Sequence, residues 1–144
     1  MTIMVFGGAG FIGSNFVIEW LSKNNEQVIN IDKLTYAGNL QNLKTIESNS
    51  QHVFVKEDIL NQQKITELIK EYKPRYIINF AAETHVDRSI HSPDQFIQTN
   101  IVGTYSILES IRSFWNDMST MEKNHFRFLH VSTDEVYGSL DLTD

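Results

Sequence analysis

"GGAGFIGSN", residues 7–15, follows the apolar run "TIMVF" and precedes a segment in which Phe11, Ile12, Phe16, Val17, Trp20 and Leu21 recur at intervals of three and four. A short apolar strand, a glycine-rich turn and an amphipathic helix, in that order, read as the opening of a nucleotide-binding βα unit. Gly7, Gly10 and Gly13 are spaced G-x-x-G-x-x-G. In this arrangement Gly7 allows a tight turn, Gly10 lets a pyrophosphate approach the backbone, and Gly13 lets the helix pack closely. The helix start then offers unpaired N–H groups and a partial positive charge to the phosphates.

The rest of the chain repeats the alternation. "QVINID" reads as a second strand, "HVFVKED" as a third, "RYIINFAA" as a fourth and "FRFLHVS" as a fifth. The fourth is a nearly continuous apolar run, as suits a central parallel strand covered on both faces. Between the strands, a weak helix carries Leu40, Leu43 and Ile46. A second, capped by Asn61 and stopped by Pro74, carries Ile65, Leu68, Ile69 and Tyr72. The longest helix is expected from Ser92 to about Met118, with Pro93 at its first position and Ile97, Ile101, Leu108, Ile111 and Trp115 on one stripe. Five strands alternating with four helices imply an α/β fold: a Rossmann-like, doubly wound parallel sheet with right-handed crossovers. Ligands of such sheets bind at the carboxyl ends of the strands. "GGAGFIG", Asp32, Asp58, "AAETH" and "STDEVYG" all follow strands and so converge on that rim.

Asp32 ends the second strand about 20 residues after the glycines, where an acid accepts hydrogen bonds from an adenosine ribose. An acid there also repels a 2′-phosphate, favouring NAD over NADP, and the neighbouring Lys33 weakens that preference slightly. Asp58, after the third strand, either meets the adenine or is a solvated acid in a turn.

The 144 residues suffice for one domain with a real core. Twelve Lys and Arg against 18 Asp and Glu give a net charge of −6 without a basic cluster, which argues against a nucleic-acid partner. The absence of cysteine removes disulfides and thiolate metal sites and fits a reducing compartment. No signal core or membrane-length apolar run is visible, so a cytoplasmic protein without a membrane partner is expected. The five histidines show no ligand spacing, and no metal is expected. His130 is expected to be packed or hydrogen-bonded, Trp20 and Trp115 to belong to the core. Asp87 and Arg88 are either a structural network or substrate contacts.

"STDEVYG", residues 132–138, places Asp134 and Glu135 side by side at the end of the fifth strand. Adjacent carboxylates push their pKa values apart, so the pair either supplies one acid and one base or merely caps a turn as solvated acids.

Taken together, "GGAGFIGSN", "NIDKLTYAGNL", "AAETHVDRSI", "TNIVGTY" and "STDEVYG" resemble the dTDP-glucose 4,6-dehydratases of the extended short-chain dehydrogenase/reductase superfamily. The resemblance covers essentially the whole chain and implies bound NAD and a nucleotide-sugar substrate. It implies conversion of dTDP-glucose to dTDP-4-keto-6-deoxyglucose by C4 oxidation, elimination of water across C5 and C6, and hydride return to C6. It places Phe11, Ile12, Asp32, Lys33, Leu34, Thr35, Asp58, Ile59, Ala81, Ala82 and Thr99 in the NAD site, and makes Thr84 and Thr133 sugar-nucleotide contacts. Thr133 is also implied as a catalytic hydrogen-bond donor to the C4 oxygen, Asp134 as the general acid and Glu135 as the general base. The order of those two rests on the resemblance alone. Phe6 departs from the family, which usually has Thr before the glycines. The family's Tyr-x-x-x-Lys pair, expected some twenty or more residues beyond the acids, has no counterpart before Asp144. Residues 1–144 are therefore expected to be the N-terminal, NAD-binding part of a longer homodimeric enzyme. The C-terminal substrate domain is not represented, and the fragment alone is expected to be inactive. Another nucleotide-sugar dehydratase, an epimerase, or a non-catalytic NAD-binding module are the alternatives.

Overall fold

The computed structural model describes residues 1–138, apart from the side chains of Val86 and Glu135. Strand β1, Thr2–Phe6, is apolar on both sides of its pleat: Ile3 and Val5 face one way, Met4 and Phe6 the other, and all four are fully buried. A strand of that kind belongs in the middle of a sheet, and it lies there. β1 pairs in parallel with β2, Gln27–Asp32, on one side and β4, Tyr76–Asn79, on the other. β3, His52–Lys56, and β5, Arg127–His130, complete the order β3-β2-β1-β4-β5, parallel throughout. The chain reverses its direction of travel across the sheet between β3 and β4, leaving a crevice at the carboxyl ends of β1 and β4.

Each face is covered by the elements whose stripes match it. Helix α1, Phe11–Lys23, and a 3₁₀ segment, Leu40–Ile46, bring Val17, Leu43 and Ile46 onto Ile3, Val5, Val28 and Ile78. On the other face α2, Gln62–Tyr72, contributes Ile65, Leu68 and Ile69 to the cluster containing Met4, Phe6, Ile29, Ile31 and Ile77. Asn61 caps α2 by accepting from the Lys64 amide at 3.3 Å. Lys73 closes it in the left-handed conformation, φ 44°, directly before Pro74.

The expected helix from Ser92 to about Met118 is present as a continuous helical run, Pro93–Asn116, with a π-helical stretch inside it. A short α3, Val86–His91, precedes α4, Pro93–Phe96; a π-helical stretch, Ile97–Gly103, leads into α5, Thr104–Asn116. The wider π turn buries Thr99 and Gly103 against the sheet, and a Cβ at Gly103 would come within 2.5 Å of Ile59 Cδ1. A further helix, α6, Thr120–His125, is set by a capping box in which Ser119 and Glu122 satisfy each other's backbone N–H groups. The Ser-x-x-Glu signal for it stands in the sequence, but the run is too short and polar to show a periodic stripe.

Two buried asparagines tie neighbouring strands together. Asn30 in β2 donates to the Gly8 carbonyl at 3.2 Å, and its amide lies 3.3 Å from His52 Nε2 in β3. Asn79, the last residue of β4, lies 3.1 Å from His130 Nδ1 in β5, and its side-chain oxygen accepts from the Ala81 amide at 3.0 Å. His130 is thus hydrogen-bonded, as expected. Burial holds the His52 imidazole below its ordinary pKa. Among the described residues no helix is long and apolar enough to cross a membrane, and no cluster of three or more His, Asp or Glu side chains gathers in metal-binding geometry.

Candidate functional site

The rim above β1 is built from backbone approaching backbone. Gly7 turns the chain with φ 76°, and a Cβ there would stand 2.6 Å from the Ala81 nitrogen and 2.8 Å from the Phe80 carbonyl carbon. Only glycine fits both the conformation and the gap. Gly13 seats α1 on the same turn, since a Cβ would fall 2.2 Å from the Gly7 oxygen. Gly8, not singled out by the spacing, is required in the same way by the Asn30 side chain, which a Cβ would meet at 2.0 Å.

Gly10 is different: a Cβ there would make only ordinary van der Waals contact, with the Gly7 oxygen at 3.4 Å and the Ala37 oxygen at 3.7 Å. Gly10 is also the N-cap of α1, which has neither a side-chain cap nor an acid in its first turn. An uncapped helix start whose Gly10 lines a groove is a fit for an anionic group, by hydrogen bonding and by the helix dipole.

Asp32 faces this turn from the end of β2. One carboxylate oxygen accepts from the Ala9 amide at 2.9 Å and the other from the Leu34 amide at 2.8 Å. Each oxygen keeps a second lone pair for an incoming hydroxyl. Beside it Lys33 pairs with Asp58 at 3.3 Å across the ends of β2 and β3. Both side chains are about a third exposed, so the bridge contributes little to stability.

One groove is lined by nine of the residues anticipated for the cofactor: Gly7, Gly10, Asp32, Lys33, Thr35, Ile59, Ala81, Ala82 and Thr99. Gly13 lies beneath it. Leu34 stands at its edge with φ 58° and its amide on Asp32. Phe11 and Ile12, 81% and 62% exposed, are not part of the lining, and Asp58 reaches it only through Lys33. Thr84 is exposed beside Glu83, outside the groove.

The acid pair follows β5, one strand beyond β4 on the same rim. Residues Asp134–Tyr137 form a 3₁₀ turn; the Thr133 hydroxyl donates to Asp134 Oδ1 at 3.3 Å, and the Val136 amide to the Thr133 carbonyl at 3.4 Å. Thr133 and Asp134 are exposed and do not line the groove; the side chain of Glu135 lies outside the described residues.

Sequence reasoning missed a second cluster on this rim. The Tyr36 hydroxyl donates to Glu83 Oε2 at 2.8 Å, and the Arg88 guanidinium stacks 3.7 Å over the Tyr36 ring. Glu83 is buried and lines the groove, its backbone clamped by the Asn100 side chain through two 2.8 Å hydrogen bonds. Partial desolvation, reinforced by the Glu83 carboxylate, holds the Tyr36 phenol above its ordinary pKa, with Arg88 pulling the other way. "TYAGN" carried only a turn signal, and no local pattern reveals a contact between positions 47 residues apart.

Sheet order, glycine turn and the acid at the end of β2 define a Rossmann-like α/β domain. The chain belongs to the family described as GDP-mannose 4,6 dehydratase, whose model matches residues 4–143. It is 54% identical over 142 residues to a dTDP-glucose 4,6-dehydratase of Xanthomonas campestris pv. campestris, covering 99% of this chain and 40% of that protein. The crystal structure of dTDP-glucose 4,6-dehydratase from Bacillus anthracis in complex with NAD is 41% identical with a TM-score of 0.82, over 100% of this chain and 41% of that one. A Streptomyces venezuelae dTDP-glucose 4,6-dehydratase, crystallised with NAD, is 39% identical with a TM-score of 0.82, over 98% of this chain and 42% of that one. The resemblance to dTDP-glucose 4,6-dehydratases therefore holds along the chain, which spans about two fifths of the length of these relatives.

Proposed function

We propose that the protein is an NAD-dependent dTDP-glucose 4,6-dehydratase and that residues 1–144 are its NAD-binding part, with a substrate domain in the remaining length that the relatives possess. The observation that carries the reading is the uncapped start of α1 facing Asp32 across one groove, which suits a pyrophosphate and a ribose diol together. Gly7, Gly10, Gly13, Lys33, Leu34, Thr35, Ile59, Ala81, Ala82 and Thr99 shape that site; Phe11 and Ile12 contribute through the first turn of α1, and Asp58 acts at its adenine end.

Held in that groove, NAD would supply the hydride acceptor for C4 of the hexose and the hydride donor to C6. Glu135 removes the C5 proton and Asp134 protonates the departing C6 hydroxyl, while Thr133 hydrogen-bonds the C4 oxygen and Thr84 the sugar nucleotide. For these roles one carboxyl must be ionised while its neighbour is protonated.

In titrations of the purified chain, NAD is expected to bind at least about tenfold more tightly than NADP, because Asp32 repels a 2′-phosphate. Equal affinity would remove the NAD preference, and no affinity for either would remove the dinucleotide reading. Mass analysis of the product made from dTDP-glucose tests the reaction: loss of the C6 oxygen is expected, and its retention with inversion at C4 would identify an epimerase.

Ile97, Ile101, Tyr105, Leu108 and Trp115 remain 42–64% exposed along the π stretch and α5, and this stripe supports a homodimer in the full-length protein. Light scattering is expected to give twice the chain mass, and Ile101→Glu to give a monomer.

A further inference from the structure

We propose that Tyr36 and Glu83 form a latch that closes the strap of residues 33–39 over the groove and sets the rate at which the dinucleotide enters and leaves. The inference rests on the NAD reading given above.

The strap is anchored at both ends. At its start, Asp32 holds the Leu34 amide, fixing Leu34 in a left-handed conformation that an L-residue adopts only when constrained. At its far end, the Asn39 amide donates to the Ala9 carbonyl at 3.0 Å, and Asn42 adds a second 3.0 Å hydrogen bond to the same oxygen. Between the anchors the crest turns back on itself, with the Gly38 amide donating to the Thr35 carbonyl at 3.1 Å. The Ala37 oxygen of this crest stands over Gly10, where the pyrophosphate belongs.

Tyr36 sits on the crest and reaches across to Glu83, which follows β4 on the opposite wall. Its partner is rigid: the Glu83 backbone is clamped by Asn100 on both its N–H and its C=O. A buried carboxylate also has a strong need of a donor, so the bond is costly to leave broken. Arg88 over the Tyr36 ring adds a cation–π contact to the same closure. The crest is thus fastened to the far wall by one side chain, and the groove opens when that side chain lets go.

A latch and a ligand contact make opposite kinetic predictions. Tyr36→Phe retains the ring and its Arg88 contact but removes the hydroxyl. If the bond is a latch, both the association and the release rates of NAD rise, by about tenfold for loss of a hydrogen bond to a charged group, and Kd changes less than about threefold. Glu83→Gln keeps an acceptor and gives an intermediate acceleration. Stopped-flow binding and release on the full chain measure both rates. A faster release with unchanged association, and so a weaker Kd, would make Tyr36 a direct ligand and overturn the latch; unchanged rates would overturn it as well. Hydrogen exchange of the amides of residues 36–39 in the ligand-free chain supplies a readout independent of NAD: exchange is expected to be faster in Tyr36→Phe, and equal protection would refute the latch. If NAD does not bind the unaltered chain at all, the functional reading fails, while hydrogen exchange still decides the latch.

Discussion

Replacing Glu135 with Gln in the full-length enzyme is expected to lower kcat by about 10²–10⁴-fold, the usual contribution of a positioned general base, with NAD affinity unchanged. Asp134→Asn is expected to be as severe, but the two defects differ in kind. Without the base, the C5 proton of the substrate should not exchange with deuterated solvent. Without the acid, that exchange should continue while elimination of the C6 hydroxyl stops. NMR of recovered substrate distinguishes the two. Reversed signatures would exchange the roles of Asp134 and Glu135, and near-normal turnover in both variants would return the pair to a solvated turn. Asp134 is carried on an exposed 3₁₀ turn beyond β5, on the same rim as β4.

Gly7→Ala is expected to be the most damaging single substitution for the fold. The left-handed conformation at Gly7 costs an alanine about 1–2 kcal/mol. The added Cβ also meets the Ala81 nitrogen at 2.6 Å and the Phe80 carbon at 2.8 Å, and both obstacles are backbone. Parting β1 from the segment after β4 adds about 1–3 kcal/mol, as for other overpacked sites. A total of roughly 2–5 kcal/mol should appear in denaturant unfolding, a large share of the stability of an ordinary domain. NAD binding should be lost even in conditions where the variant stays folded, because the same displacement distorts the groove. Gly10→Ala is the control: with 3.4 Å of clearance it should fold normally and affect only ligand affinity.

What was legible in the sequence divides along physical lines. The strands and the glycine turn could be read because each leaves a local trace: β4 lies in a nearly continuous apolar run, and Gly7 and Gly13 stand at the spacing the turn needs. The same holds for Asp32, which ends an apolar run. The order β3-β2-β1-β4-β5 leaves no such trace. The long helix could be read from its stripe, but its π-helical stretch could not, since the close approach of Gly103 to Ile59, 44 residues away in sequence, leaves no local trace. Nor could the Tyr36–Glu83 bond, which joins two loops, or the burial of Glu83 in a stretch that reads as polar. The capping box before α6 stands in the sequence, but a six-residue helix has no stripe to confirm it. The exposure of Phe11 and Ile12 has a simpler reason: helical spacing includes them in the apolar stripe, yet they occupy the first turn, beyond the edge of the sheet that the rest of α1 covers.

The paired asparagines and histidines acquire a meaning from the same apolar strands. β1 and β4 are greasy on both faces, so sliding either by one residue would exchange one buried aliphatic for another at little cost. Hydrophobicity alone therefore leaves their alignment nearly degenerate. Asn79 opposite His130 breaks that degeneracy for β4, because a slipped strand would leave a fully buried amide without its partner. Asn30, in register with Phe54, ties β2 to the Gly8 carbonyl just after β1. Since Asn79 also fixes the Ala81 amide, the device that selects the pairing sets the height of the groove wall at the same time. Misaligned folding and a misplaced ligand site are thus penalised by the same few polar atoms, and the cost of an error is greatest where it would do most harm.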